Sequence, residues 1–396
     1  MSSSSPSDLP VILLDQPAQL EDLWRRLDRS DWFGFDTEFI GERRDIPLIC
    51  LIQLITDEAI YLIDPLHATG WERLGDYIAS ERILKLTHAG ENDYRLIYQL
   101  LDILPRNVFD LQVAVAFMGI RYPASLSTIL SEVLDQPTSK GFTIADWTIR
   151  PLPPKMVRYA VEDVKFLWQL YEVVRAKLEQ SGRYAWAEDE MKQWEQEDMY
   201  TTDPLKKLLH QRAIAGFPEQ EKIFMLRIGQ WRMQEAERTG EKEEAILSSK
   251  QIVEIARAIH SGAEALFRSR ILPKAFIRRM ADQLMSWYQT PPTAEELKLV
   301  YYYTPREAVD PVNEAHAMLV YQILQIYCME ESIAVDMVMP PSEMKRYRMF
   351  SDYQAPVFDH GWRSEFLPLQ VRSLLENRLN IRLSVQANGL LLTTAS

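Results

Sequence analysis

Cysteine is scarce: Cys50 and Cys328 are the only two in 396 residues. Two thiols cannot build a disulfide framework or a four-thiolate zinc site, and they fit a reducing compartment, so the expected location is the cytoplasm. Cys50 lies in the apolar run Leu48-Ile-Cys-Leu-Ile-Gln-Leu54 and reads as a small core residue. Basic charge is also short, with 44 Lys and Arg against 57 Asp and Glu, a net charge of −13. Phosphate binding is driven largely by Lys and Arg, so the balance counts against a broad, non-specific basic surface. A local site where metal ions meet a phosphate is not excluded. No run approaches the roughly 18 apolar residues that span a membrane, so no membrane partner is expected. The opening Met1-Ser-Ser-Ser-Ser-Pro-Ser-Asp8 has no basic start and no apolar stretch. It does not read as a signal peptide, and residues 1–8 are expected to be a disordered tail.

What is present is ordinary globular material. Hydrophobic residues at 47% and charged residues at 26% exclude global disorder and collagen-like structure. The length predicts two to four domains. The first half alternates strand-like and helix-like segments. Trp32–Phe39, Leu48–Thr56 and Ala59–Ile63 read as three strands; the turn Asp57-Glu58 between the last two is short enough for a hairpin, and the three are expected to form an antiparallel meander. Trp71–Ser80 is expected to be helical, Ile83–Leu86 a fourth strand, and Asn92–Leu104 a helix. Val108-Phe109 is a short strand, with Asp110 placed to cap the next helix. Pro153-Pro154 suits the first turn of a helix running through Met156–Leu178. This pattern is mixed α/β. After about Arg183 amphipathic helical patterns take over. The expected division is an α/β domain over 9–185, an exposed helical connector over 186–216 containing the charged stretch Glu188–Glu197, and helical units over 217–290 and 291–396.

Three acidic elements carry the chemical interest. Asp36-Thr-Glu38 lies on a strand, where residues two apart share a face, about 6.6 Å apart at ~3.3 Å per residue. Two acids on an apolar central strand are costly unless paired or metal-bound, although an exposed strand end would also explain them. Asp93 follows in Thr87-His-Ala-Gly-Glu-Asn-Asp93, which leaves a strand and opens a helix, a common place for sites in α/β sheets. A helix cap with a loop histidine, His88, is the plainer alternative. Tyr159 and Asp163 are four apart on a helix and share a face. A core-edge tyrosine and a solvated acid would look the same. Four carboxylates converging in one cleft would repel unless cations neutralised them, and hard oxygen ligands select Mg²⁺ or Mn²⁺ over zinc.

Phe35-Asp-Thr-Glu-Phe39, Leu86–Asp93 and Tyr159-Ala-Val-Glu-Asp163 resemble, in order and spacing, the three exonuclease motifs of the ribonuclease D family. Asp93 and Asp163 fall 57 and 127 residues after Asp36. Leu51-Ile-Gln53, Leu62-Ile-Asp-Pro65, Asp146-Trp147 and Arg150-Pro-Leu152 are further matches, and the likeness covers about 30–175. The tyrosine in the third motif places it in the DEDDy subgroup. The resemblance implies a ribonuclease H-like exonuclease domain with two divalent ions, Mg²⁺ or Mn²⁺. It implies that Asp36 bridges both ions, that Glu38 and Asp163 hold the one beside the nucleophilic water, that Asp93 holds the second, partly through water, and that Tyr159 positions the water. His88 and Asp110 would support these residues from behind. The aromatic residues common in the family before the second strand are replaced here by Asp45-Ile46.

In the helical half, Trp231–Ala236 and Ser249–Ala256 resemble the HRDC domain over about 218–288. Residues 292–390 resemble the second, divergent helical repeat of bacterial ribonuclease D, best at His360-Gly-Trp-Arg-Ser-Glu365. The expected fold is thus an α/β exonuclease domain followed by two all-α HRDC-type domains. Arg257, Arg268, Arg270, Lys274, Arg278 and Arg279, against the single acid Glu264, form a plausible phosphate-facing surface; a solvated helix face is the alternative. Lys345, Arg346 and Arg348 form a smaller patch. Two such modules could funnel a single strand toward the cleft, in which case removing 217–396 should weaken RNA binding while a short substrate is still cut. The expected activity is metal-dependent 3′→5′ exoribonuclease action releasing nucleoside 5′-monophosphates, with tRNA precursors and single-stranded 3′ ends as substrates by resemblance. No obligate protein partner is implied. A proofreading-type DNA exonuclease and a catalytically silent RNA-binding scaffold are the alternatives.

Overall fold

The structure, a computed structural model, describes residues 9–40, 47–136, 146–201, 204–304, 309–386 and 389–394. The expected tail over 1–8 and the Asp45-Ile46 substitution lie outside the described residues. Two compact units are present: Met1–Tyr200 with Met318–Met344 and Gln354–Ser396, and Thr201–Ala317 with Lys345–Tyr353. Among the described residues no helix is long and apolar enough to cross a membrane.

The first unit is built on a six-stranded mixed sheet. Its strands are β1 (Val11–Leu14), β2 (Trp32–Ile40), β3 (Leu48–Ile55), β4 (Ile60–Ile63), β5 (Leu84–Thr87) and β6 (Val108–Asp110), in the order β1-β4-β3-β2-β5-β6. The expected meander is β2-β3-β4, antiparallel throughout. β1, which the sequence pattern did not reveal, nor the helix after it, pairs parallel to β4 at the sheet edge. The helices are α1 (Pro17–Leu27), α2 (Leu74–Ile78), α3 (Glu91–Leu101), α4 (Leu111–Ala116), α5 (Leu126–Leu134), α6 (Pro154–Val164), α7 (Leu167–Gln180) and α8 (Tyr184–Met191). The single helix expected over Met156–Leu178 is therefore two, divided at Lys165-Phe166.

β2 is covered on both faces, and its alternation decides what meets what. Phe33 and Phe35 point one way and are fully buried, with Phe35 against Tyr94 of α3 at 5.7 Å between ring centroids. Gly34, Asp36 and Glu38 point the other way, toward α6 and α7. A Cβ on Gly34 would stand 2.8 Å from the Leu167 side chain, so glycine lets α7 close on the sheet. Pairing between β2 and β5 runs only from Trp32–Leu84 to Gly34–Leu86. Beyond it the two strands diverge, and Asp36 and Glu38 stand on the stretch of β2 that borders this opening.

The charged stretch Glu188–Glu197 is exposed at Glu188, Asp189, Lys192, Gln193, Gln196 and Glu197, as its composition predicts, but it also packs onto the rest of the chain. α8 continues into short 3₁₀ turns, and Ala187, Met191 and Trp194 are buried. Glu190 and Trp186 are met by residues far away in sequence. The Trp362 indole donates to Glu190 at 2.7 Å, Arg363 pairs with Glu190 at 2.8 Å and donates to the Met337 carbonyl, and the Trp186 indole donates to Glu365 at 3.0 Å. Trp362 also packs edge-on to Phe117 at 4.8 Å. Gly361 has φ +60°, and a Cβ there would lie 2.6 Å from an Asp189 oxygen, so only glycine allows this approach. The segment His360–Glu365 thus docks the chain's later residues onto α8 beside the sheet domain.

The second unit is helical: α9 (Pro204–Leu209), α10 (Arg212–Ala215), α11 (Glu219–Thr239), α12 (Glu243–Ile246), α13 (Ser249–Ile259), α14 (Ala263–Arg268), α15 (Lys274–Gln289) and α16 (Ala294–Tyr303). Phe224, Ile228, Ile252, Ile255, Ile277 and Leu284 lie in its core. The break expected near 290 does not separate one body from another. Arg227 of α11 pairs with Glu296 at 2.6 Å and donates to the Thr290 and Pro291 carbonyls at 2.8 and 2.9 Å, which fastens α16 to α11 across the prolines. The expected 291–396 domain is accordingly shared between the two units. Its end is not helical either: Ile381–Gln386 and Gly389–Thr394 form an antiparallel hairpin.

Candidate active site

The opening between β2 and β5 is filled by a tightly tied turn. Asp110, fully buried at the end of β6, accepts from the Thr87 hydroxyl at 3.1 Å, the Gly90 N–H at 2.9 Å and the Val113 N–H at 3.1 Å. It therefore caps α4, as its position predicted, and also fixes the turn ahead of α3. Ala89 has φ +58°. A Cβ at Gly90 would lie 2.9 Å from Thr87, so glycine permits the chain to reverse here. The result puts Asp93, in the first turn of α3, beside β2. Thr37, which points away from Asp36 on the strand, donates its hydroxyl to the Asp93 carboxylate.

Asp36, Glu38 and Asp163 each bring one carboxylate oxygen within 4.8 Å of the others. Asp93 is not one of that trio; it is close enough for its charge to act on all three. A cleft of about 240 Å³ opens on the cluster, lined by Asp36, Thr37, Glu38, His88, Leu126, Tyr159 and Asp163. The Trp147 ring lies 6.2 Å from that of Tyr159. Trp147 is held in turn by Arg150, which donates to its carbonyl at 2.8 Å, to both Asp64 oxygens at 2.6 and 2.9 Å and to the Cys50 carbonyl at 2.6 Å. The Asp64, Trp147 and Arg150 motifs are thus one network behind the tyrosine. His88 lines the cleft, with Nε2 2.9 Å from the Ala124 carbonyl oxygen.

Electrostatics set this cluster apart. Burial, then the charges of Asp93, Asp163 and Glu38, hold Asp36 well above the usual carboxylate range. Burial and the neighbouring Asp163 and Asp93 push Glu38 up to about 8. Burial raises Asp93 to about 7 against the pull of the Thr37 hydroxyl. Burial, Glu162 and Asp93 raise Asp163 to about 7. Burial and the adjoining acids also raise Tyr159, so its hydroxyl stays a neutral donor at working pH. An all-oxygen donor set that resists carrying its charges together fits a hard divalent cation.

Thr37, Leu126 and Gln53 do not stand out in the sequence as separate contributors. For Thr37 the available signal is its place between the two acids, facing the opposite side. The basic residues expected to face phosphate belong to the helical unit. There Arg268, Arg270, Arg278 and Arg279 are exposed, while Lys274 donates to the Ser269 carbonyl at 2.9 Å and Arg257 lies over the Phe217 ring at 5.8 Å. Arg268 also pairs with Glu264 at 3.6 Å. Phe267 and Ile271 are exposed among them. Of the smaller patch, Arg348 pairs with Glu314 and Arg346 lies over the Tyr303 ring.

Residues 11–179 match the 3′-5′ exonuclease family model. The chain is 29% identical to ribonuclease D of Granulibacter bethesdensis over 279 residues, 70% of each protein. It is 24% identical to ribonuclease D of Gluconacetobacter diazotrophicus over 384 residues, 96% of each. The crystal structure of Escherichia coli RNase D, an exoribonuclease involved in structured RNA processing, superposes with a TM-score of 0.63 at 20% identity, covering 92% of this chain and 98% of that one, which carries the fold. With the motif residues gathered at one cleft, residues 11–179 match a 3′-5′ exonuclease domain, and the chain is similar to ribonuclease D along most of its length, which supports a metal-dependent 3′–5′ exonuclease activity.

Proposed function

We propose that this chain is an exoribonuclease that removes nucleoside 5′-monophosphates one at a time from single-stranded RNA 3′ ends, with tRNA precursors as a substrate class. The observation that carries this reading is the convergence of the Asp36, Glu38 and Asp163 oxygens within 4.8 Å, in a cleft shared with Tyr159. Asp36, Glu38 and Asp163 would hold one divalent ion, and Asp36 with Asp93 a second. Bound there, two such ions neutralise the carboxylates and act as Lewis acids at the attacking and leaving oxygens of the phosphodiester.

The chain's own groups do the rest. Tyr159, backed by Trp147, offers a neutral hydroxyl that orients the attacking water in line with the scissile bond. The turn tied by Asp110 holds Asp93 at the opening, and Leu126 gives the otherwise polar wall one apolar surface for a sugar or base. The exposed arginines near Phe267 would hold the strand upstream by phosphate contact and stacking. Tyr159→Phe should slow turnover about 10²-fold and leave RNA affinity unchanged, as measured by single-turnover kinetics and filter binding.

The deciding experiment is a time course on 3′-extended tRNA with Mg²⁺, with Mn²⁺ and with chelator, beside a DNA oligonucleotide of the same sequence. Stepwise release of 5′-monophosphates from RNA, only with metal, is expected. Equal digestion of both strands would make the chain a general 3′–5′ exonuclease. No digestion of either, with RNA still bound, would make it a binding scaffold.

A further inference from the structure

Gln53 of β3 is 0% exposed, and among the described residues neither its Oε1 nor its Nε2 has a hydrogen-bond partner. Buried side-chain amides are almost always paired, and one unpaired at both ends opposes folding. An apolar residue of similar size would serve the core better, so the amide calls for a role outside the core.

The strand register says where that role lies. Gln53 is directly opposite Asp36 in the antiparallel β2–β3 pair. Directly opposite residues project from the same face, with Cβ atoms about 4.5–5.5 Å apart. The pairs on either side along that face are Gly34–Ile55 and Glu38–Leu51. Gln53 is therefore the one polar side chain that this row of β3 sets beside the two acids of β2. It does not line the cleft, whose walls on this side are Asp36 and Glu38 themselves. It stands behind Asp36, on the face covered by α6.

We infer that Gln53 is a positioning residue: its carboxamide N–H groups steady the Asp36 carboxylate, directly or through one water, in the orientation that receives a divalent cation. This rests on the metal-dependent reading above and deepens it. Ligating carboxylates are commonly held by a neutral donor behind them, and loss of such a donor weakens metal affinity.

The test is Gln53→Met, which keeps the volume and removes both polar ends. Mn²⁺ is titrated by calorimetry into wild type, Q53M, Gln53→Asn and Asp36→Asn, and the unfolding midpoint of each is measured in chelator. Q53M should bind Mn²⁺ ten- to a hundredfold more weakly. Its metal-free midpoint should equal or exceed that of wild type, because two unpaired buried groups are gone. Q53N, which keeps the amide, should bind at least several-fold more tightly than Q53M. Wild-type Mn²⁺ affinity in Q53M, or in Gln53→Leu should Q53M not fold, overturns the inference. So does an equal loss in Q53M and Q53N. A wild type that binds Mn²⁺ no better than Asp36→Asn instead overturns the metal reading itself, so the two failures are distinguishable.

Discussion

At the α8 dock, Glu190 and Arg363 lie 2.8 Å apart with side chains 11% and 10% exposed. In the cleft, Asp36, Glu38 and Asp163 bring oxygens within 4.8 Å of one another, and among the described residues no lysine or arginine lines it. Both places take charge out of water. At the dock Glu190 finds its opposite inside the chain in Arg363, and the product is attachment of a distant segment. In the cleft like charges face one another, and none of the described lining residues supplies the complement. Buried charge that the fold itself neutralises is architecture; buried charge that it leaves unneutralised marks where an external cation belongs.

The sharpest way to break this contrast is to remove one acid from the cleft. Asp36→Asn should lower metal-dependent hydrolysis about a thousandfold or more, roughly 4 kcal/mol of barrier. Because it relieves repulsion in the metal-free fold, it should also raise the unfolding midpoint in chelator. A lower midpoint would mean that the cluster is structural. At the dock the sign reverses. Glu190→Ala leaves Arg363 buried without its partner and should cost about 3–5 kcal/mol of stability, read by denaturant titration, with little change in Mn²⁺ affinity. The dock also spoils a simple domain test. Removing 217–396 takes away Trp362 and Arg363 together with the helical unit, so lost activity in that truncation would not report on RNA contacts.

pH sharpens the comparison further. Glu38, Asp93 and Asp163 have folded-state values near 8, 7 and 7, above the ordinary 4.5, 3.8 and 3.8. Raised acids bind protons more tightly when folded. Their contribution to stability is full below about pH 4 and is lost as pH rises through 7 to 8. In chelator the unfolding midpoint should therefore fall between pH 5 and 8, and Mg²⁺ should restore most of it at pH 8. A flat profile would contradict the repulsive cluster. Mn²⁺ binding near pH 6.5 should release protons, measurable as a buffer-dependent heat.

The two regions also differ in how far they could be read from sequence. The cleft was legible because its components are local signatures: two acids on one strand, a strand-to-helix turn, and a tyrosine and acid one helical turn apart. The β2-β3-β4 meander was legible from aromatic-rich and apolar runs and from the short Asp57-Glu58 turn. The dock was not. Nothing local to Glu188–Glu197 says that Trp362 and Arg363 will meet it, so a charged helix read as a solvated one. The same holds for the division near Pro291, where Arg227 spans a break that composition alone made convincing. The terminal hairpin was the avoidable miss, since Ile381, Leu383 and Val385 alternate and Asn388-Gly389 is a strong turn signal. Gln53 falls within a recognisable motif, but its lack of partners exists only in three dimensions.

The smallest expected effect concerns two residues of the helical unit whose charge is exposed at the surface rather than trapped. Arg278 and Arg279 lie at the surface of α15, on an otherwise acidic protein. Replacing both with alanine should weaken binding of a single-stranded RNA several-fold at moderate salt and leave a dinucleotide substrate cleaved at the wild-type rate. If both contact phosphate, the slope of log affinity against log salt should become shallower by about 1.4, since each phosphate contact on a single strand contributes about 0.7. An unchanged slope with weaker binding would mean that the arginines act through packing. An unchanged affinity would make this surface a solvated helix face, leaving the exposed Phe267 without a basic rim to guide a base onto it.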